Sequence, residues 1–204
     1  MKTFTKEGGK MLYPISETFY SIIGEGEFTG CPAFFIRLAG CNLGCEFCDT
    51  DYQERFQATP GELLDLALKH PARKVVVTGG EPTIHKLKSL FGAFRGKFKI
   101  HLETNGSIVP DSMDMDWVTV SPKNSDVSPF LITYASEVKF LCGIPNWEEI
   151  INYYSPKFLG IKWLIPLADG KSLHWGNIQK AVRYCLNSPQ VRFCLQVHKV
   201  IQAK

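Results

Sequence analysis

The chain has 204 residues, a formal net charge of +3, an apolar fraction of 45% and a charged fraction of 21%. This composition is that of an ordinary globular protein and excludes bulk disorder, while the small charge gives no reason to expect nucleic acid or a membrane surface as a partner. The longest apolar run, residues 33–36, falls far short of the about 20 residues of a membrane span.

The first residues of the chain are polar and rich in lysine. Residues 1–10 lack the apolar segment that a secretory signal needs, so we expect a cytoplasmic protein. Residues 1–12 are interpreted as an N-terminal leader, and residues 13–204 as a single domain.

Apolar segments predict strands and helices in turn along the rest of the chain. Branched and aromatic residues predict strands over residues 15–22, 33–38, 75–77, 99–103, 117–120, 134–140, 159–165 and 191–197. Apolar residues at helical spacing predict four helices. The first begins after Thr59, the second includes residues 87–94, the third begins after Asn146 and the fourth spans residues 175–186. Glu62 and Glu149 stand where each would complete a capping box with the residue before its helix.

This alternation is typical of an α/β fold with a mostly parallel sheet. In such sheets, ligands lie beyond the carboxyl ends of the strands. Four loops with chemically distinctive residues each follow a predicted strand: residues 41–50, 78–82, 103–106 and 121–123. We therefore expect all four loops to line one rim of the sheet.

The cysteines are seven in number, which together with the missing secretion signal argues against a disulfide framework. Cys41, Cys45 and Cys48 fall within eight residues, in the spacing C-x3-C-x2-C, and indicate metal or cluster binding in a reducing compartment. The scattered cysteines are predicted to be small buried apolar side chains: Cys31, Cys142, Cys185 and Cys194.

The ligand count of this loop leaves several interpretations open. A structural zinc site takes four ligands and an iron–sulfur cluster normally takes four thiolates, whereas the loop supplies three. Three interpretations agree with the spacing. The loop could bind a zinc ion that recruits a fourth thiol such as Cys31, it could contain three inert thiols, or it could bind a four-iron cluster with one iron open to a non-protein ligand.

A second loop, Thr78-Gly79-Gly80-Glu81-Pro82, follows a predicted strand. Together with the three-cysteine loop, which has the aromatic Phe47 before its last cysteine, it resembles the radical S-adenosylmethionine (SAM) superfamily. The resemblance implies an abbreviated, modified (β/α) partial barrel that binds a 4Fe-4S cluster and S-adenosyl-L-methionine. It implies reductive cleavage of SAM to a 5′-deoxyadenosyl radical, with flavodoxin or ferredoxin as electron donor.

Longer segments narrow the resemblance. Residues 21–26, 30–38 and 41–50, and then residues 103–106, 121–123 and 196–199, are similar to the 7-carboxy-7-deazaguanine synthase family. This similarity implies a homodimer that converts 6-carboxy-5,6,7,8-tetrahydropterin to 7-carboxy-7-deazaguanine by radical ring contraction with loss of ammonia, in deazapurine and queuosine biosynthesis. No side chain is then expected to be catalytic, because the cluster and SAM carry the radical chemistry.

The same resemblance implies a role for each matching residue. The implied metal ligands are Cys41, Cys45 and Cys48 for the 4Fe-4S cluster and Thr50 for Mg²⁺. The implied SAM-binding residues are Phe47, Cys48, Asp49, Gly80, Glu81, Ser121, Pro122, Lys123, Ile165, Pro166, Leu167 and Ala168. The implied substrate-binding residues are Ile22, Ile23, Gly24, Glu25, Arg37, Thr78, Glu103 and His198.

The charged members of this set suit a carboxylated pterin. Arg37 ends an apolar strand, where a guanidinium suits a bidentate grip on the substrate carboxylate or an internal salt bridge to Glu17 or Glu25. Glu25 and Glu103 can each accept the paired N–H donors of an aminopyrimidinone edge.

Two further positions leave alternatives open. Mg²⁺ prefers oxygen ligands, which suits the Thr50 hydroxyl, although an Asp-Thr pair in a loop can also bond its own backbone. Ile23 stands where the family commonly has glutamine, so an amide side chain is lost there while a backbone contact is not.

Two other functions share part of the pattern. A glycyl-radical-enzyme activase has the cysteine and Gly-Gly-Glu-Pro motifs, but it acts on a protein and has no need of Arg37, Glu25 and Glu103 as a grip on a carboxypterin. A non-catalytic zinc-binding module would hold one tight zinc ion and would not turn over SAM.

Overall fold

The computed structural model describes residues 6–7, 10–170 and 172–203, and these form two compact units. The first unit is drawn from Met1–Ser21, Pro32–Thr104 and Ile108–Trp117, and the second from Ile22–Cys31, Asn105–Ser107 and Val118–Lys204. The interpretation of residues 13–204 as one domain therefore stays a prediction.

The predicted leader, residues 1–12, lies partly outside the described residues. Its described part forms an antiparallel pair of two-residue strands, β1 (Lys6–Glu7) and β2 (Lys10–Met11). The Met11 side chain packs against the apolar core of the first unit.

The first unit contains a sheet with the strand order β7-β6-β4-β3-β5. The strands are β3 (Tyr13–Ile22), β4 (Pro32–Leu38), β5 (Phe56–Ala58), β6 (Lys74–Gly79) and β7 (Lys99–Thr104). Its helices are α1 (Pro60–Leu68), α2 (Lys88–Phe94) and a short 3₁₀ turn at Pro82–Ile84. Strands β4, β6 and β7 are parallel, and β5 is antiparallel to β3.

One face of this sheet is covered by α1 and α2. The buried core combines Leu63 of α1 and Phe91 of α2 with alternate residues of β4, β6 and β7: Phe34, Ile36, Leu38, Val75, Val77, Ile100 and Leu102. Because successive strand residues point to opposite faces, the intervening residues lie on the other face of the sheet. Arg37, Thr78 and Glu103 are among them.

The second unit contains four parallel strands in the order β11-β10-β9-β8. These are β8 (Trp117–Val120, of which the last three residues belong to this unit), β9 (Glu137–Cys142), β10 (Ile161–Pro166) and β11 (Arg192–Phe193). Its helices are α3 (Pro129–Tyr134), α4 (Trp147–Tyr154), α5 (Trp175–Asn187), α6 (Val197–Val200) and a 3₁₀ turn at Ser155–Lys157. The predicted α/β alternation is thus observed in both units.

The bounds of two predicted strands are wrong, and so is one predicted cap. Tyr134 ends helix α3 rather than opening a strand, since the short apolar segment after Pro129 suits either structure. The predicted strand 191–197 is only two residues long, and Val197 begins α6. Asn146 precedes α4 in a left-handed conformation (φ 55°) with no side-chain cap.

Among the described residues, no helix combines the length and the apolar character needed to cross a membrane.

The capping box at α1 provides a test of these helix starts. In α1, Glu62 Oε2 accepts hydrogen bonds of 2.8 Å from both the N–H and the hydroxyl of Thr59. We expect Glu62→Ala to lower the free energy of unfolding by about 1 kcal/mol, because a reciprocal cap is lost. Urea denaturation of the purified protein measures this change.

Glu149→Ala is the matched control, since Glu149 is also an exposed glutamate in the first turn of a helix but forms no capping box. Equal losses from the two substitutions would contradict the assignment of the cap.

Candidate active site

The three-cysteine loop follows β4 at its carboxyl end. Cys41 and Cys45 are half-buried and Cys48 is exposed, and none of these three described cysteines is in a disulfide. The Sγ of Cys41 accepts a hydrogen bond from the Leu43 N–H at 3.4 Å, and the Cys48 N–H bonds to the Cys45 carbonyl at 3.1 Å. The loop thus presents three accessible sulfurs on a backbone with internal hydrogen bonds.

The electrostatics of the loop fit a cationic iron–sulfur group. Burial raises the pKa of the Cys41 thiol, and the negative charges of Glu81, Cys45 and Cys48 raise it further, against a lowering by the Leu43 N–H. Three thiolates in one loop repel one another unless a positively charged group lies between them. The irons of a cluster supply that charge.

The three sulfurs of the loop do not converge on one point in the described structure. In the described part of the chain, no three His, Cys, Asp or Glu side chains are placed to hold one ion. In a four-iron cluster each thiolate binds a different iron, so the sulfurs need not converge on one point. Three thiolates are also the donor set that leaves one iron of such a cluster open to another ligand.

The Gly-Gly turn after β6 packs directly on the cysteine loop. A Cβ at Gly80 would lie 2.2 Å from the Gly40 carbonyl oxygen and 2.8 Å from the Cys41 Cβ. The Gly80 N–H bonds to the Leu38 carbonyl at 3.3 Å, and the Glu81 N–H bonds to the Gly40 carbonyl at 3.0 Å. Glycine is required here by the approach of the cysteine loop, a constraint that the sequence pattern does not reveal.

Glu81 is fully buried, and its carboxylate serves the structure of the turn. Its Oε1 accepts hydrogen bonds from the Thr83 N–H at 3.0 Å, the Thr83 hydroxyl at 2.7 Å and the Thr104 hydroxyl at 2.7 Å. The carboxylate thereby ties the turn after β6 to the end of β7. Thr104 was not among the predicted site residues.

Three predicted substrate residues form a row across the first sheet. The parallel register pairs Arg37 of β4 with Thr78 of β6. Glu103 follows Leu102, which pairs with Val77, so Glu103 takes the register position beside Thr78. Since residues in register lie on the same face, all three occupy the face opposite α1 and α2 at the carboxyl end of their strands.

Arg37 also forms the internal ion pair that the sequence analysis left open. Its Nε donates to Glu17 Oε1 at 2.9 Å, and its guanidinium lies 5.9 Å from the centre of the Phe19 ring, which stacks on Phe35. The Arg37 side chain is 20% exposed. The ion pair therefore fixes the guanidinium of a side chain that is still partly exposed.

In the second unit, residues 23–25 lead from the end of β3 into a bend and turn at residues 25–30, and they are bonded to the C-terminal segment. The N–H and carbonyl of Ile23 bond to Cys31 and Gly30 at 2.8 Å each, and the Ile23 side chain is buried. A Cβ at Gly24 would lie 1.9 Å from Nδ1 of His198, which is in α6 and not beyond an extended strand. Gly24 thus has no side chain because His198 occupies the space.

Glu25 is partly buried in this turn and has two side-chain partners. Its Oε1 accepts a 2.7 Å hydrogen bond from Gln196 Nε2, and its Oε2 lies 3.9 Å from Lys139 Nζ. Lys139 in turn lies 3.8 Å from Glu137, which is fully buried. Gln196, Lys139 and Glu137 were not predicted as site residues, although two alternate charges in an apolar strand are a signal that the sequence offers.

The segments predicted to bind SAM in this unit are also held in place. Lys123 donates to the Ser121 hydroxyl at 2.7 Å, and that hydroxyl donates to the Lys139 carbonyl at 3.0 Å. Ile165 is buried, whereas Ala168 is partly exposed and its N–H bonds to Gln196 Oε1 at 3.1 Å.

The remaining predicted residues have less distinctive surroundings. Phe47 and Thr50 are half-buried and Asp49 is exposed in the cysteine loop. Ile22 and Leu167 are half-buried, while Pro122 and Pro166 are buried. Each of these assignments stays a prediction.

The remaining cysteines differ from the loop. Burial raises the pKa of Cys142 to about 11 and also raises the pKa of Cys185, which suits unreactive thiols. The Sγ of Cys194 accepts a hydrogen bond from the Gly26 N–H at 3.4 Å.

The contact between Gly80 and the cysteine loop can be tested by adding one methyl group. We expect Gly80→Ala to lose most bound iron and sulfide after anaerobic reconstitution, because the Cβ would overlap the Gly40 carbonyl and displace Cys41. Iron and sulfide per chain measure the effect.

Gly44→Ala is the control within the same loop, because a Cβ there meets no atom within 4 Å and should leave the cluster intact. If Gly80→Ala bound as much iron as the unmodified chain, this contact would not be needed for the cluster.

Comparison with known proteins connects this geometry to a family. The model of the radical SAM superfamily matches residues 35–152, which include the cysteine loop and the Gly-Gly turn. The crystal structure of QueE from Escherichia coli has a similar fold, with a TM-score of 0.78 and 29% identity over 92% of this chain and 95% of that chain. The predicted α/β fold of the radical SAM type is thereby confirmed.

Two curated relatives match almost end to end. The 7-carboxy-7-deazaguanine synthase of Bacteroides thetaiotaomicron is 35% identical over 95% of this chain and 100% of that protein. The enzyme of the same name from Synechocystis is 34% identical over 93% of this chain and 92% of that protein. The chain therefore belongs to the 7-carboxy-7-deazaguanine synthase family of the radical SAM superfamily, whose chemistry depends on a 4Fe-4S cluster and SAM.

Proposed function

We propose that this chain is a carbon–nitrogen lyase that converts 6-carboxy-5,6,7,8-tetrahydropterin to 7-carboxy-7-deazaguanine with loss of ammonia. The observation that carries the proposal is the row of Arg37, Thr78 and Glu103 on one sheet. Arg37 lies on the strand that leads into the cysteine loop, and Thr78 on the strand that leads into the Gly-Gly turn. A cation, a hydroxyl and a carboxylate in one row match the carboxylate and N–H groups of this substrate.

Arg37 is proposed to bind the substrate carboxylate. Glu17 takes the Nε hydrogen on one edge of the guanidinium, and the two Nη groups supply further donors in a planar fork. Arg37 can therefore keep its ion pair while it grips a second carboxylate. The Phe19–Phe35 stack beside it limits the motion of the side chain.

Glu103 and Thr78 are proposed to hold the pterin. Glu103 is half-buried and Thr78 is buried, so hydrogen bonds formed there are only weakly screened by water. The Glu103 carboxylate accepts N–H donors of the aminopyrimidinone edge, and the Thr78 hydroxyl donates or accepts one bond beside it.

The Gly-Gly turn is proposed to bind the amino group of SAM through carbonyl oxygens. The N–H groups of Gly80 and Glu81 already bond to Leu38 and Gly40, and an ammonium group requires acceptors. Cys41, Cys45 and Cys48 would hold the cluster, and the cluster together with SAM would supply the radical chemistry needed at C6 of the substrate, with SAM regenerated and not consumed.

In the second unit, Glu25 and His198 are proposed as further substrate contacts. Residues 121–123 and 165–168 are proposed as SAM contacts. A hydrogen bond holds a side chain in each group: Gln196 donates to Glu25, and Lys123 donates to Ser121. Preorganised groups of this kind bind a ligand without first losing side-chain freedom.

Mg²⁺ is part of the proposal, with Thr50 as its protein ligand. Thr50 is half-buried two residues beyond Cys48. Mg²⁺ commonly keeps several waters and takes few protein oxygens, so Thr50 together with the substrate carboxylate forms a sufficient site.

The proposal also includes a flavodoxin or ferredoxin as electron donor and a homodimer. Both are supported by the family resemblance of the sequence. A glycyl-radical-enzyme activase and a zinc-binding module are not favoured, since the relatives that match over nearly the whole chain are named as synthases.

A product assay tests the proposed reaction. The protein is reconstituted with iron and sulfide under anaerobic conditions and supplied with dithionite, SAM, Mg²⁺ and the carboxypterin. We expect 7-carboxy-7-deazaguanine by mass spectrometry, and we expect none from Cys45→Ala because the cluster would lose one of its three thiolates.

Cys185→Ala is the matched control, because Cys185 lies on α5 and is not a proposed ligand. An intact cluster without product would reject the proposed substrate, and full activity of Cys45→Ala would reject the cluster mechanism.

The role of Arg37 is tested by the carboxylate of the substrate. We expect Arg37→Lys to weaken binding of 6-carboxytetrahydropterin about 10- to 100-fold, since the bidentate fork is lost. Equilibrium binding to the reconstituted protein without reductant measures this effect.

Tetrahydropterin, which lacks the carboxylate, serves as the control ligand and should bind equally to both proteins. A parallel loss for both ligands would show that Arg37 acts only through its ion pair with Glu17.

A further inference from the structure

The side chain of Gln196 bridges two segments of the second unit that the proposed function assigns to different ligands. Its Nε2 donates to Glu25 Oε1 at 2.7 Å, and its Oε1 accepts from the Ala168 N–H at 3.1 Å. Glu25 is a proposed contact of the pterin, and Ala168 belongs to the segment proposed to contact the adenine of SAM. Gln196 itself is 8% exposed.

The bridge has a fixed direction. A carboxylate can only accept and a backbone N–H can only donate, so the amide nitrogen must face Glu25 and the amide oxygen must face Ala168. Rotation of the amide by a half-turn would break both bonds. Gln196 therefore has one stable orientation in which both ends are satisfied.

Both segments joined by the bridge are anchored in their own right. On the substrate side, the Val197 N–H bonds to the Gly24 carbonyl at 2.9 Å, and His198 packs on Gly24. On the other side, the Leu167 N–H bonds to the Cys142 carbonyl at 2.9 Å, and Asn177 donates to the Leu167 carbonyl at 2.9 Å. A shift of either segment is thus passed on through a short chain of hydrogen bonds.

The opposite oxygen of Glu25 is held by charge. Lys139 lies 3.9 Å from it and 3.8 Å from Glu137, whose carboxylate accepts bonds from Thr119, Trp163 and the Glu27 N–H at 2.7 to 2.9 Å. Glu25 therefore cannot turn away from Lys139 at low cost. Its remaining freedom is set by Gln196.

We infer that Gln196 is a positioning residue that couples the binding of the pterin to the binding of SAM. This inference rests on the proposed function. A ligand that holds Glu25 keeps the Gln196 amide in its one bonded orientation, and a ligand that holds Ala168 does the same from the other end, so each ligand stabilises the bridge that the other one needs. Such a coupling is reciprocal by thermodynamic linkage, so each ligand must raise the affinity of the other by the same factor.

Equilibrium binding to the reconstituted protein with an oxidised cluster and no reductant tests the coupling without turnover. In the unmodified protein we expect SAM to bind about fivefold tighter or more when the carboxypterin is present. In Gln196→Ala that ratio should fall to about 1, while binding of SAM alone changes little, because the bridge is lost and the cluster is not.

Gln196→Glu separates the two ends of the bridge. It keeps an acceptor for Ala168 but places a second carboxylate against Glu25, so we expect a larger loss of carboxypterin affinity than in Gln196→Ala, with SAM affinity retained. This variant also decides the matter if Gln196→Ala does not fold. Gln179→Ala, at an exposed glutamine of α5, is the control and should keep the full ratio.

The outcomes distinguish the inference from the proposed function. If the unmodified protein forms the product but the two ligands do not affect each other's binding, the inference is overturned and the function stands. The same holds if the coupling survives in Gln196→Ala, or if Gln196→Glu binds the carboxypterin with unchanged affinity. Failure of the unmodified protein to bind the carboxypterin at all overturns both.

Discussion

The absence of a side chain at residue 80 is the constraint on which the first unit depends. A Cβ there would stand 2.2 Å from the Gly40 carbonyl oxygen, so only glycine lets the turn after β6 reach the cysteine loop after β4. That approach fixes Cys41 relative to the turn, and the buried Glu81 carboxylate then ties the turn to Thr104 at the end of β7. The ends of three parallel strands are thereby locked together by backbone contact and one carboxylate, so the proposed cluster ligands stand on a rigid support.

In the second unit, two charged residues of β9, Glu137 and Lys139, are buried in the interior. Burial of an ion pair costs desolvation energy and is weak support for stability. The cost is offset here because Glu137 accepts hydrogen bonds from Thr119, Trp163 and the Glu27 N–H. Glu137 and Lys139 contact the turn that contains Glu25 and hold it in place.

Local features of the fold were predictable, and features that depend on distant residues were not. The capping box of Glu62 was found because both partners lie within one turn of chain. The same pattern at Asn146 failed, because that residue adopts a left-handed conformation in which its side chain forms no cap. The candidate site divides in the same way: the pairing of Arg37 with Glu17 was one of two options, and the bridge from Gln196 to Glu25 spans 171 positions and has no local signal.

The sequence by itself determined the family and the chemistry, because three cysteines, a Gly-Gly turn and their order along the chain are short-range patterns that the cluster and SAM require. It also determined that Arg37, Thr78 and Glu103 stand near strand ends. Only the tertiary structure decided that parallel register aligns these three in one row, and that the close approach of the cysteine loop requires glycine at position 80. The physical reason is that register and close packing are set by strands far apart in sequence, whereas a motif states which groups are available and not which neighbours they meet.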